Sequence, residues 1–175
     1  MRTFFLLVSF WLAGIALANS PVDRPDAVAE ADMKAAYIYN FGAFTEWPES
    51  NRISFNICVL GDDRIGRSLK RYEGKLISNR RVVVARLSSL AAIADCQLLF
   101  IGESEVHNLG RITHELGNLP VLTVTDAPVL TQVGVVISLV GQRLVFEVNL
   151  DYCKRGNLKP QSNLLRLAKS VRKSD

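Results

Sequence analysis

Between Ile53 and Thr125 the chain switches repeatedly between two kinds of periodicity, and that alternation restricts the fold more than any other feature. Ile53 to Leu60, Arg81 to Leu87, Gln97 to Ile101 and Pro120 to Thr125 are short, nearly continuous apolar runs. Such runs suit strands buried on both faces. The first and third end in Gly61-Asp62-Asp63 and Gly102. Helical spacing fills the gaps. Ile65, Leu69 and Tyr72 share one face, as do Leu90, Ala91 and Ala94 after an N-capping Ser88, and Val106, Leu109, Ile112 and Leu116 within a helix over 104–116. Strand and helix in alternation predict a mostly parallel sheet with helices on both faces, the α/β class.

The flanks add elements. A helix over 27–44 carries Tyr37, Ile38, Phe41 and Phe44 and stops before Pro48. Val135 to Val140 and Arg143 to Leu150 alternate around Gly141-Gln142, an antiparallel hairpin at one edge of the sheet. A terminal helix over 160–171, with Pro160 in its first turn, closes the chain. Ahead of all this, Met1-Arg2, an apolar run from Phe4 to Leu17 and Ala16-Leu17-Ala18 read as a cleavable secretory signal peptide over residues 1–18. At about 14 residues the run is shorter than the ~20 of a membrane-spanning helix. The mature chain is expected to start at Asn19 and to form a single domain over 19–175 that works outside the cytoplasm.

In such a sheet, ligands gather in the crevice at the carboxyl ends of the strands. Those ends offer Asp62, Asp63, Glu103, Ser104 and Asp126, an acidic rim for a cationic group or a partner loop. Asp63 and Ser104 are equally suited to capping helices. Gly61-Asp62-Asp63-Arg64-Ile65-Gly66 lacks the second glycine of a dinucleotide fingerprint, and there is no Walker-type lysine. His107 and His114 share one face of the helix expected there, but seven residues separate them by about 10.5 Å, too far for one metal ion. No nucleophile stands in a recognisable motif with either histidine. The expectation is a chain without cofactor, metal or catalytic set, and so no enzyme. The net charge of +4 is mild and no nucleic-acid motif accompanies it. Arg166, Lys169 and Lys173 would line one face of the terminal helix, a basic face open to solvent or to an acidic partner. Three cysteines, Cys58, Cys96 and Cys153, imply one disulfide and one odd thiol in an oxidising compartment.

Two stretches resemble the YfiR family. Lys34-Ala35-Ala36-Tyr37-Ile38-Tyr39-Asn40-Phe41, continuing through Phe44-Thr45-Glu46-Trp47-Pro48, is similar to its opening signature. Phe146-Glu147-Val148-Asn149-Leu150, Gly156-Asn157-Leu158-Lys159 and Leu164-Leu165-Arg166-Leu167-Ala168 resemble its closing segment. The resemblance implies a periplasmic repressor that holds an inner-membrane diguanylate cyclase inactive and so lowers cyclic di-GMP and biofilm growth. It also implies an outer-membrane peptidoglycan-binding lipoprotein as competitor and a homodimer. A small-ligand sensor using the strand-end crevice is the other reading. The family places cysteines at the positions of Cys58 and Cys96, so the resemblance pairs these two. If both strands started level, the pair would be offset by about five residues, or ~16 Å, against the ~7 Å a bridge tolerates. The strands must be staggered, or the loop before Gln97 must fold back. Cys153 is left free, without the second bridge that the resemblance associates with the best-known member of the family.

Overall fold

The computed structural model describes residues 25–61, 63–129 and 131–174. The expected signal peptide, Asp62 and the new amino terminus at Asn19 lie outside the described residues. Helix α1 (Pro25–Ala43) places Pro25 in its first turn, where a missing N–H has no helical partner. Ala31, Ala35, Ile38 and Phe41 form its buried stripe. Beyond Phe41 the helix ends on its own side chains. The Thr45 hydroxyl donates to the Phe41 carbonyl at 2.7 Å, and Trp47 Nε1 to that of Gly42 at 2.9 Å, satisfying carbonyls that have no further helical turn.

Strands β2 (Ser54–Leu60), β4 (Arg80–Leu87), β5 (Leu98–Ile101) and β6 (Leu122–Thr125) are the four expected runs. They lie parallel in the order β6-β5-β2-β4, and β5 and β6 are buried at every position. On one side, β3 (Leu76–Ile77) turns back onto β4. On the other, β7 (Val135–Val140) pairs parallel with β6, and β8 (Arg143–Asn149) forms the expected hairpin with it. Gly141 adopts φ +60°, which the tight turn between them requires. α1 and α2 (Asp63–Leu69) cover one face of the sheet. A 3-10 turn (Leu90–Asp95) and α3 (Leu109–Leu116) cover the other.

Four local expectations are corrected. The segment after Ser88 is a 3-10 turn whose N-cap is Ser89, with no side-chain cap bond. Residues 104–116 divide into a 3-10 turn (Glu103–Asn108) followed by α3. Leu150 does not end a strand but opens α4 (Leu150–Arg155), because the Asn149 side chain accepts from the Tyr152 N–H at 3.1 Å. The terminal helix fails at both ends. Pro160 belongs to β9 (Lys159–Pro160), which pairs with β1 (Thr45–Glu46), and α5 spans only Ser162–Leu167. Residues Ser170–Arg172 form β10, parallel to β8, so β10 rather than the hairpin is the sheet's edge. The open backbone of β8 offers hydrogen-bond partners that another helical turn would leave unpaired.

The Cys58–Cys96 disulfide is present, with Cα atoms 5.8 Å apart. Both devices that the offset required operate. Leu98 stands level with Ile57, so β5 starts three residues further along than β2. The turn before Cys96 folds back over the sheet, held by Asn56 Nδ2 on the Asp95 carbonyl at 2.8 Å. Cys153 is a free thiol, fully buried, and burial pushes its pKa up to about 12.

Candidate functional site

A crevice lies at the strand ends. A cavity of about 640 Å³ lies at the carboxyl ends of β2 and β4, walled by Arg86, Ser88, Glu105, Arg111 and Glu115. Gly61 forms part of its floor with φ +94°. A Cβ there would come within 2.6 Å of the Ser104 hydroxyl, so the chain requires glycine at this crossing. Ser104 and Glu103 are exposed on the turn beside it, and neither is among the cavity's lining residues. Asp63 opens α2, and Asp62 lies outside the described residues. Asp126 faces α1 instead of an open rim. Its Oδ2 meets Lys34 Nζ at 2.7 Å, and the same ammonium meets Glu30 at 2.7 Å. Burial pulls the Lys34 pKa down, but hydrogen bonds to Asp126 and Glu30 outweigh it and leave the ammonium above its ordinary value. Arg86 and Arg111 were missed. Arg86 was detectable from its place at the end of an expected strand.

The basic face does not form. Arg166 is on α5, Lys169 follows the helix and pairs with Glu147 at 3.5 Å, and Lys173 lies beyond β10. His107 and His114 fall on separate elements, a 3-10 turn and α3, and both are exposed. Among the described residues no three His, Cys, Asp or Glu side chains gather as metal ligands.

A second concavity is built by segments far apart in sequence. α1 packs on β8 through Phe41 and Phe146, with ring centroids 5.0 Å apart, and through Tyr37 and Phe146 at 5.9 Å. The Tyr37 hydroxyl donates to the Leu144 carbonyl at 3.3 Å. Just past α1, Thr45 and Glu46 pair with Pro160 and Lys159, and the Gln161 N–H donates to the Phe44 carbonyl at 2.9 Å. These contacts set α1, β8 and α5 around a groove of about 460 Å³. Its floor includes Phe41, Phe146 and Leu164, and its lips carry Phe44, 39% exposed, and Leu167, 76% exposed. Arg143 and Lys169 add positive charge at the margin. An apolar trough with two exposed hydrophobic lips can seat an apolar segment of another molecule.

Residues 31–169 match the family model described as YfiR/HmsC-like. The chain belongs to the YfiR/HmsC-like family. That family comprises periplasmic regulators of diguanylate cyclases rather than catalysts. The two stretches that carry the YfiR/HmsC-like resemblance are the ones that meet in this structure. The opening signature supplies α1 and β1, and the closing segment supplies β8, β9 and α5. In this member the groove joins them.

Proposed function

We propose that this chain is a periplasmic repressor, exported by a cleaved signal peptide, that holds the periplasmic part of an inner-membrane diguanylate cyclase inactive. Cyclic di-GMP and biofilm formation fall as a result. The family supplies the class of partner. The groove between α1, β8 and α5 supports a docking role, because it presents Phe44 and Leu167 to solvent beside a preformed apolar floor. An outer-membrane peptidoglycan-binding lipoprotein would act by competing for the repressor, and the working form is a homodimer. The protein performs no chemistry of its own on the nucleotide. Deleting the gene should raise cyclic di-GMP, measured by mass spectrometry of cell extracts, and an unchanged level under biofilm conditions would overturn the reading.

The cavity of about 640 Å³ with Arg86 and Arg111 on its wall favours a second role, sensing of a small ligand at the strand ends. Pull-down from periplasm separates the two, since a pure ligand sensor brings down no membrane cyclase.

A further inference from the structure

We propose that a polar cleft at the amino-terminal edge of the sheet, separate from both concavities above, binds a small ligand bearing one oxyanion, a carboxylate or a phosphate, through Arg80 with Arg52 beside it. The inference stands whether or not the partner is a cyclase. The cleft is about 450 Å³, and Trp47, Glu49, Ser50, Arg52, Asn79 and Arg80 are among its lining residues.

Arg80 is fixed at the cleft by its backbone. Ser78 and Asn79 form the two-residue turn between β3 and β4, with φ of 47° and 64°, the left-handed pair that tight hairpins use. Arg80 then enters the ladder opposite Ile77. Its guanidinium carbon lies 5.2 Å from the centre of the Phe55 ring, a cation–π contact. That contact occupies no N–H donor, and an arginine carries five. Among the described residues the Arg80 side chain makes neither a hydrogen bond nor an ion pair.

Arg52 is held differently. It pairs with Asp95 at 3.1 Å and donates to the Ala94 carbonyl at 3.0 Å, so its guanidinium is held in place on the same cleft. Burial lowers the Arg80 pKa, and repulsion from Arg52 lowers it further. A half-buried guanidinium whose donors take no partner among the described residues, on a cleft that also holds Arg52, offers a forked pair of donors to an anion. An oxyanion takes the donors in forked geometry. Glu49, exposed on the same cleft, favours a singly anionic group over a polyphosphate.

The test uses the full-length protein exported to and purified from periplasm. Sodium phosphate and sodium acetate are each titrated against sodium chloride at matched ionic strength. Thermal midpoint and tryptophan fluorescence are read together, since the sequence has only Trp11 in the leader and Trp47 in the cleft. A saturable rise in midpoint with a saturable fluorescence change is expected in at least one arm, and the arm that responds names the anion. Arg80→Gln should lose the saturable component. Without anion its stability should stay close to that of wild type, because losing the cation–π contact with Phe55 opposes the relief of repulsion from Arg52. Arg80→Lys, which keeps the charge but not the fork, should bind several-fold more weakly. Absence of a saturable component in wild type overturns the proposal. So does a wild-type curve in Arg80→Gln, or in Arg80→Lys if the glutamine variant does not fold.

Discussion

Asp126 stands at the end of β6, where the sequence offered an open carboxylate, and Lys34 closes it from 92 residues away. Its position was legible, since a residue just past an apolar run must reach the strand end. Its role was not, because nothing local identifies the partner. The remaining oxygen, Oδ1, is buried without a hydrogen bond from any described residue, so among these residues Lys34 offsets the burial of that carboxylate. Cys153 shows a similar divide. Its being odd was legible by counting, while its environment depended on α4, a six-residue helix too short to show a period. In the unfolded chain its thiol ionises near 9.0, and in the fold burial keeps it protonated to about 12. The folded state therefore holds this proton more tightly. The stabilisation is complete below pH 9 and is lost as pH rises toward 12, by at most about 1.4 kcal/mol per pH unit. Tyr152, raised from 10.0 to about 12 chiefly by burial, adds a loss of the same sign. Urea melts of Cys153→Ala should give a shallower, but not flat, fall in stability over pH 9 to 12. At pH 7 the variant should lose roughly 1 kcal/mol for the missing sulfur. An alkaline slope equal to that of wild type would show that the thiol is not held as described.

Among the elements, the parallel strands were the most legible, because a strand buried on both faces needs a continuous apolar run and little else resembles one. The end of the chain was the least legible. Leu164, Ala168 and Val171 keep helical spacing, yet Ala168 takes an extended backbone and Val171 is 41% exposed on β10. The competing attraction is the unpaired edge of β8, which no sequence period records. The opposite edge carries a device that was equally invisible. β3 covers only Arg80 and Arg81 of β4 in the ladder. Further along, the Val84 N–H donates to Glu73 Oε2 at 3.1 Å, and Lys70 Nζ donates to the Val84 carbonyl at 3.0 Å. Lys70 and Glu73 also pair with each other at 3.0 Å, so an ion pair stands where another strand would lie. Glu73→Ala should leave the Val84 N–H without its acceptor and cost about 1–2 kcal/mol in urea melts. It should also open the edge to pairing between chains, seen by light scattering as association beyond that of wild type. Glu73→Gln keeps an acceptor and should behave nearly as wild type. A Glu73→Ala variant with unchanged stability and size would mean that water serves this edge as well as the carboxylate does.

For the molecule as a whole, the groove depends on a meeting that neither of its segments declares. Residues 34–48 read alone give an aromatic stripe suited to core packing, and Phe41, 1% exposed, does pack there. Residues 146–168 read alone give a strand and the beginning of a helix. Only the sheet order, which brings β8 under α1, turns these into the floor of one trough and leaves Phe44 and Leu167 on its lips. A surface built this way can be tested without disturbing the fold. Leu167 is 76% exposed, so Leu167→Asp removes little buried area and should change stability by no more than about 0.5 kcal/mol. If Leu167 anchors the partner, the same substitution loses an apolar contact and places a charge in an apolar seat, at a cost of about 2 kcal/mol or more in docking, roughly 30-fold in affinity. Cyclic di-GMP in cells carrying Leu167→Asp should then rise toward the level of the deletion, with the variant present in periplasm at its normal amount. Ile53→Asp, at a residue 94% exposed and outside the groove, is the control and should leave the nucleotide level unchanged. If the deletion raises cyclic di-GMP and Leu167→Asp does not, repression stands and the docking surface lies elsewhere on the molecule. If Ile53→Asp and Leu167→Asp raise it equally, the effect follows from added surface charge and not from the groove.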